Sequence, residues 1–103
     1  MNSSAEQQGG SYPTARKIRR ACANELYRTV KRLGVYIPKE QIEKAEKHYF
    51  EKVALNLPWI HENYSNRKKL ADWWDDHVSA DIADILGVDR GKLCKAFRDA
   101  FGG

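Results

Sequence analysis

The sequence predicts an all-α fold, a single small domain of about five helices closing with a C-terminal helix-turn-helix. Three observations predict it. Apolar residues recur at three- and four-residue steps in successive runs, as the buried stripe of a helix requires. Those runs are punctuated by Gly34, Pro38, Pro58, Gly87 and capping Ser, Asn and Asp residues. No stretch has the alternation of a strand, and no repeat recurs at a fixed period. The length of 103 residues, with 42% hydrophobic and 31% charged side chains, suits one core and excludes a collagen-like or wholly disordered chain.

Residues 1–14 are rich in Ser, Gln and Gly and are expected to form a flexible tail; residues 15–103 form the helical domain. The first helix starts at Ala15, carries Ile18, Cys22, Leu26, Val30 and Leu33 along one stripe, and ends at Gly34. The second runs from Pro38 to Leu55 with Ile42, Ala45, Tyr49, Phe50 and Val53 inward, and Leu57 continues that side. Glu40–Lys44 and Glu43–Lys47 lie on its solvated face. Pro58 is expected to end it, leaving Trp59, Ile60 and Tyr64 in a connecting turn. A third helix spans Arg67 to Val78. Ser79 is expected to cap a short helix from Ala80 to Leu86, which Gly87 stops, and Asp89 a last helix from Arg90 to about Phe101.

No apolar run approaches the roughly 18 residues that a membrane span needs, and the polar opening lacks the layout of a secretory signal. An intracellular, cytoplasmic protein is therefore expected, with no membrane partner. Cys22 and Cys94 have neither disulfide-scaffold density nor zinc spacing and read as reduced thiols.

Net charge is only +4, from 18 basic and 14 acidic residues, but its distribution is uneven. Residues 14–33 carry a net +6, from Arg16, Lys17, Arg19, Arg20, Arg28, Lys31 and Arg32 against Glu25. Such a cluster makes a local potential that the summed charge conceals. It can neutralise phosphates in a sequence-independent way, with Arg19, Arg20 and Lys31 as the residues to test. A merely solvated basic face is the alternative.

The most specific stretch is residues 80–102, ADIADILGVDRGKLCKAFRDAFG. Ala83, one turn before Gly87, permits a close helix crossing, and Gly87 supplies the left-handed turn residue. Ile82, Leu86, Val88, Leu93 and Phe97 form the core between the two helices. Arg90, Gly91, Cys94, Lys95 and Arg98 are expected on the outer side of the second helix, a slender and mostly basic surface suited to a major groove. Ile82-Ala83, Leu86-Gly87-Val88, Leu93, Lys95, Phe97-Arg98 and Gly102 together resemble the helix-turn-helix of arabinose-regulator (AraC-type) transcription factors, over about a fifth of the chain. The resemblance implies that the second helix reads bases and that Arg90, Lys95 and Arg98 approach DNA. The family's DNA-binding unit holds two such motifs joined by a long helix. Here one is visible, with Asp89 where serine is usual. Asp81, Asp84, Asp89 and Asp99 oppose the local cations.

Trp59, Tyr64, Trp73 and Trp74 lie among Asp72, Asp75 and Asp76, which favours core packing over base stacking, although adjacent tryptophans about 100° apart leave one partly exposed. His48, His61 and His77 show no metal-site spacing. Cys94, near Lys95, is a candidate for a lowered thiol pKa but lacks a neighbouring histidine base. Phosphate loops and nucleophile elbows are absent. The sequence therefore predicts no enzyme, cofactor, metal or small-molecule ligand. It predicts a small DNA-binding regulator or accessory factor, nucleoid-associated and paired with itself or a protein partner to enlarge its footprint. The alternative is a helical protein-interaction module that binds no nucleic acid.

Overall fold

The computed structural model describes residues 12–103. Among them it forms six helices and no strand: α1 (Ala15–Leu33), α2 (Lys39–Leu55), α3 (Leu57–Glu62), α4 (Arg67–His77), α5 (Ser79–Leu86) and α6 (Arg90–Phe101). Residues 1–11 of the expected tail lie outside the described residues. Its last three residues belong to the fold. Thr14 caps α1 by accepting a 3.2 Å bond from the Lys17 backbone N–H, and the Tyr12 ring meets His61 edge-on at 4.9 Å.

The extra helix replaces the expected connecting turn. Only Asn56 separates α2 from α3, and its side chain donates back to the Lys52 carbonyl at 2.8 Å. Pro58 then lies in the first turn of α3, where a missing N–H removes no helical bond. Proline at that point begins a helix as readily as it ends one. Ser79 is also placed differently. It is the first residue of α5 and fully buried, and its hydroxyl donates to the Asp75 carbonyl at 2.6 Å rather than capping α5. The cap at Asp89 forms as expected, its carboxylate accepting from the Lys92 N–H at 2.9 Å.

α6 is the central element and packs on α1, α4 and α5; α1 also packs on α2, and α2 on α5. The core is aromatic where the longer helices converge. Trp74 of α4 lies parallel to Phe97 of α6 with ring centroids 3.9 Å apart, and Phe101 also stacks with Phe97, at 5.1 Å. Tyr49 of α2 meets Trp74 and Phe97 edge-on at 6.0 and 6.1 Å. Trp73, one residue before Trp74 and so about 100° round the helix, is left half-buried. No helix among the described residues is long and apolar enough to cross a membrane.

Candidate nucleic-acid interface

α5, the turn Gly87–Asp89 and α6 build the tight two-helix unit that the sequence anticipates. Gly87 adopts φ 69° and ψ 37°, and the Val88 N–H bonds back to the Ala83 carbonyl at 3.0 Å, closing the end of α5. The left-handed turn is therefore set by a residue without a Cβ, as the chain reversal needs. Leu93, Ala96 and Phe97 face inward.

The cations of α6 are directed differently from expectation. Arg98, expected outward beside Lys95, is half-buried and turned onto α4: its Nη2 donates to Asp72 Oδ1 at 2.9 Å and to Asp75 Oδ2 at 2.5 Å. Arg90 stays exposed but is spent on the same corner, with Nε donating to Ser79 Oγ at 2.9 Å and Nη2 to the Asp75 carbonyl at 2.8 Å. Lys95 is exposed and pairs with Asp99 at 3.1 Å. The physical reason is the packing of α4 against α6. It brings Asp72 and Asp75, distant in sequence, beside the two arginines, and a guanidinium between two carboxylates gains charge-assisted bonds without losing all its water. Cys94 is half-buried, and burial raises its thiol above the ordinary value instead of lowering it.

Asp72 is held below its ordinary carboxyl value, first by the Arg98 hydrogen bond and then by Lys68. A depressed native pKa means that this group's contribution is present above the ordinary value and is lost as pH falls through the lowered one. Asp75 depends on Arg98 more heavily, because its Oδ1 is already buried without a partner. Arg98→Ala should therefore lower the thermal midpoint, at a cost of about 1–2 kcal/mol, reduced from a fully buried pair because solvent still reaches both partners. Lys95→Ala removes only an exposed i,i+4 pair and should cost a few tenths of a kcal/mol. Thermal melts of the two variants test this, and equal midpoints would show that the Arg98 bridge stabilises nothing.

α1 presents the opposite picture. All seven of its cations are exposed, and among the described residues none lies within ion-pair distance of an acid. Its buried stripe is Ile18, Cys22, Leu26 and Thr29. At 100° per residue, Arg16, Arg20, Tyr27 and Lys31 lie on the side opposite that stripe, with Lys17 and Arg28 next to them. From Arg16 to Lys31 this face is about 22 Å long at the helical rise. Tyr27 is exposed within it, and the Lys31 ammonium sits 5.7 Å from the Tyr27 ring centroid. Arg19 departs from expectation, since its guanidinium lies 4.8 Å above the Phe50 ring, towards α2 and away from the outward face.

The sequence-predicted residues thus fall into separate groups. Arg20 and Lys31 share the outward face of α1, Arg19 leans on α2, and Arg90 and Arg98 brace the α4–α6 corner. α1 and α6 pack on each other through their buried stripes, so the exposed side of α6 that carries Lys92 and Lys95 points away from the outward face of α1. Arg16 and Tyr27 are further members of the α1 face, and a helical projection of the sequence is enough to find them. The chain has no match among protein-family models, curated proteins or solved structures.

Proposed function

We propose that the protein binds duplex DNA through the outward face of α1, chiefly by contacts to phosphate, as a non-enzymatic regulatory or accessory factor working inside the cell on the nucleoid. The observation that carries this reading is the row of exposed cations on α1 that no acid of the described residues neutralises. Fixed cations of this kind release condensed counterions from DNA, and the favourable entropy of that release drives association. The resemblance of α5 and α6 to an arabinose-regulator helix-turn-helix supports a DNA-directed role. Within it, Lys95 keeps the exposure that groove contact requires, whereas Arg90 and Arg98 would have to leave their internal partners to reach DNA. Phosphate contacts position a protein without reading sequence, so the reading implies weak, broadly tolerant binding unless a second copy or a partner supplies further contacts.

Titration of a fluorescein-labelled duplex at low and moderate salt, with NMR shift mapping on the protein, tests it. The expected result is affinity that falls steeply with salt and shifts concentrated at Arg16, Arg20, Tyr27 and Lys31. Absence of binding at low salt would overturn the reading in favour of the protein-interaction module. Shifts confined to Lys92 and Lys95 would move the interface to α6.

A further inference from the structure

A cleft of about 580 Å³ lies between α1 and the pair α3 and α4, a volume typical of small-molecule sites. It exists because of how the helices pack. α1 is held by α6 and α2, α4 by α5 and α6, and α3 mainly by α2, so the α3–α4 arm stands off from α1. The lining is predominantly apolar, with the rings of Tyr49, Trp73, Trp74 and Phe97 among its walls, and it opens to solvent beside the exposed Lys17, Tyr64 and Arg67.

One acid lies in this apolar setting. Glu25 is the sole acidic residue of α1 and lines the cleft next to Cys22 and Tyr49. The Tyr49 hydroxyl donates to Glu25 Oε1 at 2.5 Å, and among the described residues no cation stands within ion-pair distance of the carboxylate. Burial raises the Glu25 carboxyl above its ordinary value, opposed by the Tyr49 bond and by Arg67 and Arg28 at longer range. The same surroundings push the Cys22 thiol up to about 12, first by burial and then by Glu25 and Glu46. Gln would accept the same Tyr49 bond without the desolvation cost that a carboxylate meets in such a place, so the charge itself is not required by that contact.

We propose that this cleft binds a small hydrophobic amine, its apolar body between the aromatic walls and its ammonium on Glu25. The chemistry favours a cation over the alternatives. An ammonium gains from the aromatic rings that are not buried at the cleft, Trp73, Tyr64 and Phe101, and forms a charge-assisted bond to the carboxylate. A neutral hydrocarbon leaves Glu25 uncompensated, and an anion meets it as a like charge. Lys17 and Arg67 are positive, but they lie at the exposed mouth, where solvent screens them, while Glu25 is the more buried charge. His61 completes the ionisable lining. This inference does not rest on DNA binding: none of Arg16, Arg20, Tyr27 and Lys31 lines the cleft, and only Lys17 borders both.

NMR titration of the full chain with phenethylamine, 2-phenylethanol and 3-phenylpropionate tests it, since these probes carry the same ring on a short chain and differ in charge. The amine should shift the signals of Tyr49, Trp73 and Phe97 and bind about tenfold or more tightly than the alcohol, the value of one charge-assisted bond. Glu25→Gln keeps an acceptor for the Tyr49 hydroxyl and should bring the amine down to the level of the alcohol. Phenylpropionate binding as tightly as the amine, amine binding that Glu25→Gln leaves unchanged, or no binding by any probe would each overturn the proposal. Should Glu25→Gln fail to fold, the comparison of amine with acid on the unaltered chain decides alone.

Discussion

Phe97→Ala should unfold the protein or bring it to the edge of unfolding at room temperature. The ring is 1% exposed, lies flat against Trp74 at 3.9 Å, and is flanked by Phe101 and Tyr49. Its removal takes away the transfer free energy of a phenyl group and leaves a void bounded by three helices, a combination that costs about 3–5 kcal/mol. A domain of this size has a total stability of about 5–10 kcal/mol, so the loss is a large share of it. Urea denaturation with tryptophan fluorescence measures the effect directly, since Trp74 is the stacking partner. A loss below about 1 kcal/mol would show that the aromatic stack is not what holds α4 to α6.

Much of this core is legible in the sequence because helical periodicity is local. The stripe through Ile18, Cys22 and Leu26, the one through Ala45, Tyr49 and Val53, and the inward Leu93 and Phe97 all follow from spacing alone, and all are buried. Gly87 and Asp89 are legible for a similar reason, since each acts on backbone groups within a few residues of itself. α3 escapes because proline carries two local meanings: it ends the helix that precedes it or opens the one that follows. Pro58 does the second, after a single intervening Asn56. Ser79 is misplaced by the same ambiguity, for a serine hydroxyl that caps the next helix is equally able to bond back to the carbonyl one turn earlier.

The candidate interfaces divide along the same line. Charge clustering on α1 is a property of a single helix, so its exposed face can be projected from the sequence, including Arg16 and Tyr27. The fate of Arg98 is not local. It depends on Asp72 and Asp75, which α4 brings into reach only after α4 and α6 have packed. The cleft depends on even more, namely on which helices do not touch. Glu25 leaves one faint trace: it is the sole acid of a basic helix and falls at the edge of the apolar stripe, where a solvated charge would not be expected.

Substituting Arg16, Arg20 and Lys31 together by Gln should flatten the salt dependence of DNA binding. Each cation that neutralises a phosphate contributes about 0.9 to the slope of log affinity against log salt, so removing three should reduce it by roughly 2–3. Affinity at low salt should fall at least about tenfold, because the lost term is the one that drives association there. All three side chains are exposed and make no ion pair among the described residues, so the thermal midpoint should change little. Arg19→Gln supplies the internal comparison: its guanidinium lies over Phe50, off the outward face, and its loss should alter the slope by well under the roughly 0.9 expected of one phosphate contact. A folded triple variant with an unchanged slope would reduce the α1 face to ordinary solvated charge, and equal effects from Arg19 and from each of the other three would mean that charge, not placement on that face, governs the contact.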